Sequence, residues 1–151
     1  MFKTILKPII IVGVTTLIMT GCAPSIPMAP VAQDKICKQF SKPAKDKSGI
    51  YIYRNTFVGS ALTKSLLLDD KPLGPIANKT YHFKEVNPGK HKLTTTSEFS
   101  PNSILVQTKG GENYYFNHYI KIGLIVGGAN IEQVTEEVAK KEILECGLAK
   151  S

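Results

Sequence analysis

The most reactive side chains in this 151-residue chain are three cysteines (Cys22, Cys37, Cys146), three histidines (His82, His91, His118) and a lone arginine, Arg54. A zinc centre needs ligands converging from short, defined spacings, and the chain has no His-x-His or Cys-x-x-Cys. A hydrolytic triad needs a serine served by a histidine that an acid orients. No Gly-x-Ser-x-Gly elbow occurs, and Ser97 and Ser100 flank Phe99 in loop-like sequence without a recognisable partner. Asp69 and Asp70 are followed by too few oxygen donors for a calcium loop and read as turn residues. No catalytic residue, metal or cofactor is therefore assigned, and enzyme activity, a hydrolase at most, is not expected. His91 shares strand parity with Leu93, and His118 with Phe116 and Ile120, so both are expected to point inward as structural side chains.

Cys22 has a different setting. Lys3 and Lys7 precede an apolar run from Ile9 to Met19, which ends in the small residues Thr20 and Gly21. That run falls short of the ~20 residues a spanning helix needs, so residues 1–21 read as a cleaved signal peptide, with a membrane anchor as the alternative. Thr20-Gly21-Cys22 resembles a bacterial lipobox, with Met19 or Ile18 standing where its leucine usually sits. The resemblance implies a diacylglyceryl thioether on Cys22, cleavage before it and acylation of the new amino terminus. Two or three acyl chains, at ~0.8 kcal/mol per buried methylene, hold a protein on a bilayer. Ala23, in place of an aspartate, implies delivery to the outer membrane, facing the periplasm.

Hydrophobic content of 42% and charged content of 21% suit a globular domain. The net charge of +7 falls to +5 without Lys3 and Lys7, and the basic residues are all lysine except Arg54. Readers of nucleic acid rely on arginine for forked contacts, so nucleic acid is not an expected partner. The lysines read as a solvated surface, or as a mild attraction to anionic lipid or polymer.

Residues 22–48 read as a tether, with Pro24, Pro27 and Pro30 followed by Lys42, Lys45 and Lys47, and with one possible helical turn from Asp34. Residues 49–151 read as the folded domain. Gly49–Asn55 is apolar on both faces, which predicts a central strand. Strands are expected at Ser65–Asp69, Leu73–Ile76, Thr80–Val86, Lys90–Glu98, Ser103–Thr108 and Asn113–Ile122, punctuated by turn residues such as Asn87-Pro88-Gly89. Gly123 to Asn130 reads as a bend and loop. Thr135 can cap a final helix in which Glu136 and Glu137 precede Lys140 and Lys141 by four residues, and Gly147 can end it. The expected fold is mainly β, an antiparallel β-sandwich closed by one C-terminal α-helix.

Tyr51-Ile52-Tyr53-Arg54, Asp69-Asp70-Lys71-Pro72, Thr80-Tyr81, Asn87-Pro88-Gly89-Lys90-His91, and Gly111 before Tyr114-Tyr115 occur in that order. In this the chain resembles bacterial lipoproteins of domain-of-unknown-function family 2846, from about Gly49 to the C-terminus. It is also similar to small Ig- or PEGA-type β-sandwich domains of cell envelopes. The resemblance implies fold and location, not chemistry.

Cys37 and Cys146 are either a disulfide in an oxidising compartment or two buried thiols. Arg54, with the parity of Ile50 and Ile52, would pair with a carboxylate such as Glu85 or bind an anionic partner at the rim. The expected role is a non-catalytic envelope module held by Cys22 and presented to a periplasmic protein or to peptidoglycan. A small-ligand or glycan carrier using Tyr51, Tyr53, Tyr81, Tyr114, Tyr115 and Tyr119 is the alternative.

Overall fold

The computed structural model describes residues 26–123 and 127–151, so Cys22 and the apolar run before it lie outside the described residues. Among the described residues nine strands form two sheets. The strands are β1 (Ser48–Arg54), β2 (Lys64–Leu68), β3 (Lys71–Ile76), β4 (Thr80–Val86), β5 (Gly89–Thr95), β6 (Asn102–Thr108), β7 (Asn113–Lys121), β8 (Gly128–Val134) and β9 (Gly147–Leu148). One sheet has the order β8-β7-β1-β4-β9 and the other β3-β2-β5-β6. Helices α1 (Val31–Cys37) and α2 (Glu136–Leu144) complete the fold.

Strand β1 is buried along its whole length, as its two apolar faces require. Ile50 and Ile52 face the other sheet and pack with Leu66, Leu93, Phe116 and Ile131. Tyr51 and Tyr53 face the opposite way and pack with Tyr81, Tyr115 and Leu148 beneath Cys37, Ala139 and Ile143 of the helices. The molecule is thus three layers deep, with helices on one face of the five-stranded sheet and the four-stranded sheet on the other. Helix α2 begins where the sequence places it, with the Thr135 side chain accepting from Val138 N–H.

Three features differ from expectation. The sandwich is not purely antiparallel: β1 runs parallel to β7, and β4 parallel to β9. The stretch read as a bend and loop becomes β8 from Gly128 onward, paired with β7 from Lys121↔Gly128 to Tyr115↔Val134. The third concerns the expected tether, which is docked from Pro27 on. Ala29 N–H donates to Leu148 O (2.9 Å), Lys150 N–H to Pro27 O (2.9 Å) and Leu148 N–H to the Asp34 carboxylate (3.0 Å). The helix there starts at Val31, after Pro30, not at Asp34. Its end places Phe40 in the left-handed region (φ 52°), and the Phe40 ring lies 5.5 Å from that of Tyr51. The physical reason is that Cys37 and Phe40 supply apolar surface that only the tyrosine face can cover.

The two-residue hairpin between β2 and β3 is made by Asp69 and Asp70, both with positive φ (52° and 62°), in keeping with their reading as turn residues.

Candidate functional site

Arg54, the residue singled out as a partner-binding or ion-pairing candidate, is the largest fully buried side chain among the described residues. It ends β1 on the face shared with Ile50 and Ile52, so its stem enters the space between the sheets. Its guanidinium donates to Leu62 O (2.6 Å) and to Gly59 O, both in the connection from β1 to β2. The expected pairing with Glu85 does not form, because Glu85 sits near the far end of β4, opposite Gly49. Nor does Arg54 reach the rim as a free cation. It is an internal clamp: a planar fork that satisfies two carbonyls of a loop and fixes that loop over the end of the core. Its Nε has no partner, and burial lowers its pKa.

His118 lies one step past the last β1–β7 register pair, on the same inner face. It is fully buried, as its parity predicted, and its Nε2 meets Thr95 Oγ1 at 2.9 Å. Burial first, and then the Arg54 charge, push its pKa down to about 3. Below its ordinary value of 6.5 the unfolded chain takes up a proton that the folded chain refuses until about pH 3, so stability falls as pH falls across that window. Buried His82, also depressed by burial, acts in the same direction. Denaturant titrations of the wild type are expected to lose on the order of a few kcal/mol between pH 6.5 and the acid limb. His118→Gln, which keeps a group able to meet Thr95, should flatten that limb. An unchanged limb in the variant would contradict the assignment.

The other histidines stand apart from this pair. His82 Nδ1 meets Ser151 Oγ at 3.1 Å, but its Nε2 rests on the Pro75 carbonyl (2.9 Å) and not on a carboxylate. A serine–histidine contact without an orienting acid is not a triad. His91, expected inward, is only partly buried and pairs with Asp69 (2.7 Å) and Asn87 O (2.8 Å) beside the β2–β3 hairpin. Burial opposes its charge, yet those hydrogen bonds outweigh it and raise its pKa. Ser97 Oγ, one of the two serines weighed as nucleophiles, accepts from Ala129 N–H (2.9 Å) and serves to join the sheets.

Of the two alternatives for Cys37 and Cys146, the structure has the second: they are free, buried thiols in the cluster under the helices, not a disulfide. The Cys146 thiol donates to Glu142 O (3.4 Å) and points toward Arg54 O (3.7 Å), and the Cys37 carbonyl accepts from Tyr51 Oη (3.0 Å). Burial raises both pKa values, Cys146 to about 12, so neither thiolate exists at neutral pH. Alkylation of the folded protein at pH 8 is therefore expected to spare both, and denaturant to expose both. Intact mass should not change with reductant; a gain of two hydrogens would restore the disulfide.

The tyrosines offered as a stacking platform are mostly internal. Tyr51, Tyr53, Tyr81 and Tyr115 are buried, and Tyr51 stacks on Tyr115 at 5.2 Å. A concavity lies instead beside the docked arm. It is a cleft of about 590 Å³ lined by Met28, Cys37, Phe83, Lys84, Leu148 and Lys150, among others. No sequence signal marked it, because its walls come from the docked arm, from β4 and from the last residues of the chain, which are far apart in sequence. Among the described residues no group of three or more histidine, cysteine or acidic side chains is placed to hold a metal. No described helix is long and apolar enough to cross a membrane.

These features define a two-sheet β-sandwich with a helical layer on one face, its single arginine and two of its histidines turned into the body. The chain belongs to the family described as protein of unknown function DUF2846, whose model matches residues 44–129, from just before β1 to the start of β8. It is similar to a Haemophilus influenzae protein described as uncharacterized, 45% identical over 141 residues that make up 93% of this chain and 83% of that protein. No solved structure matches the chain.

Proposed function

We propose that this is a lipid-anchored, non-catalytic envelope protein. Residues 1–21 are its export signal, acylated Cys22 holds it to the outer membrane, and the sandwich faces a periplasmic protein or the cell wall. The observation that carries the reading is the run from Lys3 to Cys22, a basic start and a short apolar segment closing on Thr20-Gly21-Cys22.

The docked arm supports it and changes its geometry. Cys22 stands only six positions before Met28, which pairs with Ala149. The leash is thus at most about 20 Å long, and the body is held against its membrane. One face is left open for a partner. The helices cover one side of the five-stranded sheet, while the outer side of β5 and β6 carries Lys90, Leu105 and Gln107 in solvent. A photo-crosslinking side chain at Leu105 in intact cells should capture a specific envelope component. Capture at Leu105 no greater than at a site under the helices would count against this face.

The cleft beside the arm favours a second reading, a carrier of a small ligand. Its size suits one, and Lys84 and Lys150 would suit an anionic group on it. Phe83 is its one aromatic wall, which gives little for sugar stacking.

A further inference from the structure

The strand directions bring several connections to one end of the sandwich. Strand β1 ends there and β2 begins there. β5, antiparallel to β2, ends there, and β6 begins there. β7, parallel to β1, ends there, and β8 begins there. Each of these three connections carries a large apolar side chain in solvent: Phe57 is 92% exposed, Phe99 76% and Ile122 94%, with Val58 at 48% beside Phe57. Scattered exposed apolar residues are ordinary, but three loop tips at one end are a patch.

The loops are tied into one platform. Arg54 fixes the first from below through Gly59 O and Leu62 O. Lys64 Nζ donates to Gly127 O (2.8 Å), joining it to the third. Phe99 of the second and Ile122 of the third line one shallow depression. The described residues of the three loops carry a single charged side chain, Glu98, while Lys64 and Lys121 stand one step lower, at the strand ends. Apolar tips with Lys64 and Lys121 behind them match the layering of an anionic bilayer, acyl chains first and headgroups next.

The leash is long enough to allow the contact. Met28 pairs with Ala149, whose N–H donates to Tyr81 O (2.8 Å), and Tyr81 is the second residue of β4 at this same end. Acylated Cys22, six residues earlier, can therefore enter the plane that the tips would touch.

We infer that Phe57, Phe99 and Ile122 form a membrane-contacting crown, which seats the loop end of the sandwich in the headgroup region of an anionic bilayer. The inference uses the lipid-anchor reading to place that bilayer within reach. The contact then gives the body a second, weaker hold and a fixed orientation, because the anchor keeps the crown at high local concentration beside the surface.

The chain contains no tryptophan, so a single introduced one is a clean reporter. Full-length protein matured in the producing bacterium would be reconstituted into vesicles of phosphatidylethanolamine and phosphatidylglycerol, with part of the lipid brominated in its acyl chains. Phe57→Trp and Ile122→Trp alter exposed side chains and leave the fold intact, as does the control Leu105→Trp on the open sheet face. The expected result is loss of emission, with a blue shift, for the first two and neither change for the control. Vesicle-bound protein whose crown tryptophans stay unquenched would overturn the inference. So would equal quenching at all three positions, or protein crosslinks from the crown in place of lipid contact. The anchor reading is judged separately from the same preparation. If Cys22 carries no lipid, that reading fails, while quenched tips on floating protein would still uphold the crown.

Discussion

Arg54→Ala is expected to cost about 3–4 kcal/mol, a lowering of Tm by roughly 10–20 °C. The substitution empties the space of the largest fully buried side chain and leaves the Gly59 and Leu62 carbonyls without their donor. Arg54→Lys should lie between wild type and alanine, because one ammonium cannot fork to both carbonyls and still brings a charge into the core. Arg54→Met keeps the stem and removes the buried charge, and exchanging a buried ion for an apolar side chain of similar volume is often tolerated; its cost should be well below that of alanine. A readout independent of packing separates the charge from the volume. The Arg54 charge helps to hold the His118 pKa down, so Arg54→Met should raise it and soften the acid loss of stability. Thermal melts of the three variants at pH 7, repeated at pH 5, check both statements. An alanine variant that melts with the wild type would contradict the clamp.

Tyr51→Ala is expected to be the other most damaging change, at about 3–5 kcal/mol. Its ring is 1% exposed, within 4.5 Å of Phe83 and 5.2 Å of Tyr115, and tilts against Phe40 at 5.5 Å. Its hydroxyl is the donor to Cys37 O that ties α1 down. Tyr51→Phe isolates that hydrogen bond and should cost about 1 kcal/mol. The alanine variant should also release the arm, so that trypsin nicks the native-state protein at Lys35, Lys38, Lys45 and Lys47 ahead of the sandwich. A variant that is destabilised yet keeps wild-type resistance in the arm would show that the arm does not depend on Tyr51.

What could be read from the sequence follows from how local each signal was. Strand β1 was legible because Ile50, Tyr51, Ile52 and Tyr53 are apolar on both faces, and only a central strand covers both. The parity of His118 correctly placed it inside. Strand β8 was missed because Gly127-Gly128 reads as a loop, and because Ala129 and Ile131 alone mark its buried face among Asn130, Glu132 and Gln133. The parallel pairings of β1 with β7 and β4 with β9 leave no local trace at all; they are set by where distant chain segments meet. The arm was read as a tether on its prolines and lysines, yet its partners are Tyr51, Tyr81 and Leu148, the last lying 114 positions from Asp34. The role of Arg54 escaped for a similar reason. Its inward parity was visible, but the groups it holds are backbone carbonyls, which have no side-chain signature.

The same contrast sets the weight of the functional reading. The body holds the chain from Pro27 onward, and the motif at Cys22 carries the proposal that this body is anchored to a membrane. The most direct test is mass spectrometry of the amino-terminal peptide from protein extracted from the membrane fraction of the producing bacterium. The account predicts a peptide beginning at Cys22 that carries a thioether-linked diacylglyceryl group and an acylated amino terminus. A membrane-derived peptide that still contains Thr20 and Gly21 ahead of an unmodified Cys22 would contradict it.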